Sequence, residues 1–344
     1  MYGLVLWRMF EVIANVYVTN ALRRDFPTTP SPAGGTLQPC IANTGCRLIN
    51  FCSPPFVHHI KKTNMTNSNT MTDDQALGMF VGLFIGDAMG APLEFTEPNT
   101  GEPVRSMIGG GVHNVTPGEW TDDGAMAMCI AKAYLRAGKF DPALIQQNFI
   151  RWSRTGEFGT RNRVFDIGIT VSEALRRAKD LDFPYTGSAA TMASGNGSIM
   201  RLAPCITWNR HSLGGAIGEG VAQALLTHGS SDTVTYTSAL AHELWVGQPL
   251  ASYDSLRDRA MCNSGYVADT YASAWHSVNT TSNFENAVVD AINRGGDADT
   301  VGAVAGMLAG RIYGYQALEA HALTLVKADL VIRTGRELMG RRSS

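Results

Sequence analysis

From position 72 onward, apolar residues recur at the three-to-four spacing of helices, and alternating β-branched runs are scarce. The first such stretch, 76–90, follows Thr72-Asp73-Asp74-Gln75, which reads as a capping box. Its glycines fall at 78, 82, 86 and 90, giving one face of small residues against which a second helix can lie close. Further helices are predicted over 122–137, 141–154, 167–180, 212–226, 231–246, 265–278, 284–293, 300–313 and 315–327. Asp141-Pro142 supplies one of them with a cap and a first-turn proline. The pattern predicts an all-α, compact multi-helix domain over 71–344.

Residues 1–70 differ in kind. Segments 26–56 and 61–74 are rich in Pro, Gly, Ser, Thr and Asn, a composition that makes turns and buries little. We read 1–70 as a poorly ordered extension outside the fold. It carries six basic and two acidic residues, so the remainder holds 22 against 28 and a net charge of −6. That acidic body offers no basic face for a nucleic-acid backbone, and it suits a cation site. No apolar run reaches the roughly 18 residues of a membrane span, and Asp87 interrupts the best candidate. Cys129, Cys205 and Cys262 stand isolated in apolar surroundings, the usual setting of inert thiols, and point to a reducing compartment, the cytoplasm. Cys40, Cys46 and Cys52, with His58 and His59 beyond, lack the paired spacing of structural zinc sites.

Three stretches carry candidate chemistry. Thr121-Asp122-Asp123 precedes the helical run at 122–137, and taken alone it is either a helix cap or half of a metal site. Asp297-Ala298-Asp299-Thr300 repeats the same groups in mirrored order before another small-residue helix. Brought together, four carboxylates would repel strongly unless a cation lay between them. Oxygen-only ligands point to Mg²⁺ or Mn²⁺, and their number suits two ions. Gly195-Asn196-Gly197-Ser198 frees backbone amides for an anion, or simply makes a turn. His228, following Thr227, ends one helix just before the next begins.

Six motifs in order resemble the ADP-ribosylglycohydrolase family: Gly86-Asp87-Ala88 leading to Glu94, Trp120-Thr121-Asp122-Asp123, Asp166-Ile167-Gly168-Ile169-Thr170, Gly195-Asn196-Gly197-Ser198 leading to Arg201, Thr227-His228, and Gly295-Gly296-Asp297 leading to Asp299-Thr300. The resemblance runs from about residue 75 to about 314 and lies nearest the dinitrogenase-reductase-activating and ADP-ribosyl-arginine hydrolase branch. It implies an all-α monomer that uses two divalent ions, Mg²⁺ or Mn²⁺, to hydrolyse the glycosidic bond between ADP-ribose and an acceptor. The substrate would be an ADP-ribosylated protein or a small ADP-ribose conjugate. By the same resemblance, Thr121, Asp122, Asp123, Asp297, Asp299 and Thr300 are metal ligands. Glu94, Asp166 and His228 are catalytic, and Gly195, Asn196, Gly197 and Ser198 bind the diphosphate. A non-catalytic ADP-ribose-binding homologue is the alternative, and the completeness of the motifs argues against it. Two positions depart from the family pattern. Gly124 stands where many members carry Thr, and Ile169 stands where arginine-directed members often carry a polar residue.

Overall fold

The computed structural model describes residues 71–179, 183–248 and 261–340. The expectations for 1–70, including those for Cys40, Cys46 and Cys52, lie outside them. The described residues form helices joined by turns, with no strand among them and only isolated bridges such as Gly195 to Tyr266. In chain order the α-helices are α1 (Asp73–Gly90), α2 (Asp122–Ala137), α3 (Pro142–Thr155), α4 (Ile169–Ala178), α5 (Ala203–Trp208), α6 (Leu213–Leu225), α7 (Ser231–Val246), α8 (Val267–Thr280), α9 (Phe284–Ile292), α10 (Ala298–Tyr313), α11 (Glu319–Ala322) and α12 (Ala328–Gly340). The all-α expectation holds.

Helix α1 is the axis of the fold. Its capping box is formed: Thr72 Oγ1 accepts from the Gln75 amide at 3.2 Å, and Gln75 Oε1 accepts from the Thr72 amide at 3.1 Å. The helix and the turn after it, Asp73–Leu93, have the length and mean hydropathy (1.6) of a membrane span, yet 94% of the apolar window is buried within the fold. Its small face meets α10 in antiparallel register, with Gly78, Gly82 and Gly86 against Gly310, Gly306 and Gly302. A Cβ at Gly86 would come within 1.9 Å of the Gly302 carbonyl oxygen, so this approach tolerates nothing larger. The register places the C-terminal end of α1, with Asp87, beside the N-terminus of α10, with Asp299 and Thr300.

Two helices escaped the sequence pattern, and one was misplaced. The short α5 opens at Ala203-Pro204 and is too brief for periodicity to show. The stretch 315–327, expected to be one helix, is a 3-10 turn (Tyr315–Ala317) followed by the single turn α11; the long helix comes afterwards, as α12. Lys327, with φ of 60°, breaks the run, and Val326 is tied on both sides: its amide donates to the Gly118 carbonyl at 2.9 Å and its own carbonyl accepts from Trp120 Nε1 at 3.0 Å. Tertiary contact to the segment ahead of α2 thus overrides local helical propensity. Helix α4 begins at 169 rather than 167 because Gly168 is extended.

Candidate active site

Helix α2 starts at Asp122, but its own Thr121 side chain does not cap it. The cap comes from α1. Asp87 accepts from the Thr121 amide through both carboxylate oxygens (2.8 and 3.0 Å) and from the Gly124 amide at 2.9 Å. The buried acid in an otherwise apolar helix thereby satisfies the helix end, and Thr121, Asp122 and Asp123 are released from capping. Asp297 likewise makes no side-chain cap for α10; its carboxylate accepts from Asn196 Nδ2 at 2.7 Å.

The freed groups converge. Thr121 Oγ1 lies 3.3 Å from Asp123 Oδ2 and 3.2 Å from Asp299 Oδ2, while Thr300 Oγ1 lies 3.4 Å from Asp123 Oδ2. One carboxylate oxygen from each of Glu94, Asp297 and Asp299 falls within 4.8 Å of the others. Asp122 is also buried and lies beside Asp166 and the Gly168 backbone. The six residues expected as metal ligands therefore lie in one neighbourhood, with Asp122 on its Asp166 side. Two glycines in the left-handed region, Gly295 and Gly296 with φ of 65° and 61°, make the turn that delivers Asp297.

Burial, and then mutual repulsion, drive these acids up. Asp123 and Asp299 are held well above the carboxylate range, first by desolvation and next by Asp87 and by Asp123 respectively. Asp122 follows for the same reason, with Asp166 as its main repelling neighbour. Desolvation also lifts Asp87 to about 7 and, joined by Asp297, Glu94 to about 8. Asp123 Oδ1 is buried with no hydrogen-bond partner. An orphaned carboxylate oxygen among crowded acids and hydroxyls is a donor set that fits a hard divalent cation.

Glu94 and Asp166 stand at one edge of this cluster. The Glu94 segment is fastened to the α10 turn by paired backbone bonds, Phe95 amide to Gly296 carbonyl (2.6 Å) and Gly296 amide to Thr96 carbonyl (2.9 Å), with Phe95 held at φ 59°. Asp166 is raised to about 7, by burial and then by Glu94. Between them lies His113, its Nε2 at 2.7 Å from Glu94 Oε2 and 3.7 Å from Asp166 Oδ2.

The glycine loop is a 3-10 turn, Asn196–Ser198. The Asn196 amide is spent on the Gly265 carbonyl at 3.0 Å, so a cradle for an anion rests on Gly197 and Ser198. His228 packs beneath: a Cβ on Gly197 would meet its Cε1 at 2.7 Å. Burial and the nearby Arg201 lower His228 to about 3, which makes it a neutral support. Thr227 Oγ1 bonds to His228 Nδ1 at 2.8 Å and accepts from the fully buried Arg201 at 2.6 Å. Arg201 also donates to Gln223 Oε1 at 2.7 Å and lies over the Phe149 ring at 4.7 Å. The first departure from the family pattern has a packing reason: a Cβ at Gly124 would come within 2.8 Å of both Phe84 and Trp120, which meet edge to face there. The second, Ile169, is 80% exposed.

Reasoning from the sequence missed His113 and the capping role of Asp87. A lone acid inside an apolar helix was the signal for Asp87; nothing in the spacing around His113 marks it.

A profile of the ADP-ribosylglycohydrolase family matches residues 68–256 and 243–343. The chain is similar to the ADP-ribosylarginine hydrolase Tri1 of Pseudomonas putida (strain GB-1), with 39% identity over 71% of this chain and 73% of the relative. It is 31% identical to the ADP-ribosyl-[dinitrogen reductase] glycohydrolase of Rhodospirillum rubrum over 70% of this chain and 86% of that one. Among solved structures, an ADP-ribosylglycohydrolase-related protein complex matches with a TM-score of 0.67 and 32% identity, covering 78% of this chain and 97% of its own. With motifs, fold and relatives in agreement, the chain belongs to the ADP-ribosylglycohydrolase family and is a glycohydrolase that cleaves a glycosidic bond of ADP-ribose.

Proposed function

We propose that the reaction depends on two divalent ions, Mg²⁺ or Mn²⁺, held by Thr121, Asp122, Asp123, Asp297, Asp299 and Thr300, and that the preferred acceptor is arginine. The observation that carries the metal dependence is the buried, partnerless Asp123 Oδ1 among acids that burial and repulsion raise well above the usual carboxylate range. Bound there, the ions would supply Lewis acidity beside the ribose carbon and share the charge of the acids.

The chain's own groups would do the rest. Hydrolysis breaks the bond from C1″ to the acceptor, water supplies the new oxygen, and the acceptor leaves with a proton. Glu94, raised to about 8, is the acid that can carry a proton at neutral pH and give it to the leaving group; Asp166, at about 7, is its neighbour and rival. The Gly197 and Ser198 amides would take the diphosphate. The name of the Tri1 relative favours arginine, and a protonated Glu94 can hand its proton to a departing guanidine. Residues 1–70 are proposed as an extension outside the catalytic domain, which acts as a monomer in the cytoplasm.

A panel of arginine-, serine- and O-acetyl-linked ADP-ribose substrates tests the acceptor. Release of free ADP-ribose should be fastest from the arginine linkage; equal or faster release from serine would overturn that assignment.

A further inference from the structure

His113 has no role in the account so far, yet an unusual amount of structure serves its placement. It stands on the turn 110–115, which the Gly110 and Val115 backbones close in both directions (2.8 and 2.9 Å). The turn sits on the 3-10 segment ahead of Glu94, since a Cβ at Gly111 would meet Pro92 at 2.7 Å. From the other side Arg161 reaches the His113 carbonyl at 3.3 Å and the Asn114 carbonyl at 2.9 Å. That guanidinium is itself locked, bidentate on Glu119 (2.9 and 2.7 Å) and 4.2 Å over the Phe165 ring. Phe165 in turn meets the imidazole edge to face at 5.7 Å.

The imidazole so fixed is largely buried and aimed at two acids from different parts of the chain. It sits 2.7 Å from Glu94 Oε2, hydrogen-bond distance whichever atom carries the proton, and 3.7 Å from Asp166 Oδ2. Glu94 is a long side chain just after a helical turn, and its carboxyl has no other hydrogen bond to a side chain among those described.

We propose that His113 is a positioning residue for catalysis: its hydrogen bond holds one oxygen of Glu94, keeps the carboxyl at the edge of the acidic cluster, and sets its distance from Asp166. This rests on the proposed role of Glu94 in proton transfer.

Two variants test it. His113→Leu keeps the bulk and removes the hydrogen bond; His113→Gln keeps a polar group of similar reach. His113→Leu should lower kcat by about tenfold to a hundredfold, as loss of an orienting partner does, with KM little changed. His113→Gln should recover most of the loss, and the divalent-ion shift in Tm should match wild type in both. Wild-type kcat in His113→Leu, or equal impairment in both variants, would overturn the proposal. A crystal structure of His113→Leu decides without turnover: a Glu94 carboxyl swung away from Asp166 supports the assignment, and an unmoved one refutes it. Failure of the wild-type protein to release ADP-ribose would count against the role of Glu94, while that structure would still judge His113.

Discussion

On one side of the site, Thr121, Asp123, Asp299 and Thr300 converge from two helix ends, and burial with mutual repulsion raises the two carboxyls well above the usual carboxylate range. On the other side, the Asn196–Ser198 turn presents backbone, backed by a neutral His228 and the buried cation Arg201. Both sides are dense, buried and glycine-flanked, yet their electrostatic needs are opposite. The acid side has the donor set a hard cation would take up. The loop side already has the positive charge of Arg201 near it, the setting an anion would need. Asn196 joins them, donating from the loop to Asp297 at 2.7 Å. On the proposed reading, the helix ends carry the cation-dependent chemistry and the loop binds the diphosphate without a cation.

The largest expected effect breaks the acid side alone. Asp299→Ala should cut kcat by about 10³, the equivalent of the several kcal/mol of charge stabilisation a bound ion supplies, and should abolish the divalent-ion shift in Tm. A variant that retains both would erase the distinction. The loop side is probed by Gly197→Ala, whose Cβ would press on His228 at 2.7 Å. There KM should rise by about tenfold, the loss of roughly one hydrogen bond to a charged group, while the divalent-ion shift in Tm stays intact.

Smaller and more diagnostic is the pH dependence. Asp87, Asp166 and Glu94 have folded-state values raised to about 7, 7 and 8. A raised acid binds its proton more tightly when folded, so its contribution to stability is present below about pH 4 and lost as pH climbs through the folded value. The metal-free protein should therefore lose stability between about pH 4 and 8. Because protons and cations compete for the same oxygens, the Tm gain from Mn²⁺ should grow over that window. Thermal melts at several pH values, with and without Mn²⁺, check both; a gain independent of pH would mean the ion binds elsewhere.

Much of this was legible from the sequence because the chemistry is local. Thr121-Asp122-Asp123 and Asp297 to Thr300 each pack several ligand-type groups into one helix start, and the glycine spacing at 78, 82 and 86 announced the close partner helix that brings them together. The choice between cap and metal site could not be made from the segment itself. It turned on Asp87, which is 34 residues from the Thr121 amide it accepts from. His113 was invisible for the same reason: its meaning lies in a turn held by Arg161, 48 residues away. The break at Lys327, which displaces the last long helix, follows contacts of its neighbour Val326 to Gly118 and Trp120 that no helical period encodes.

The central claim is that the acidic cluster works only with divalent ions in it. Protein stripped with EDTA should release no ADP-ribose from an ADP-ribosyl-arginine substrate, and should recover on adding Mg²⁺ or Mn²⁺, with calorimetry counting two ions per chain. Undiminished release in EDTA would contradict the account.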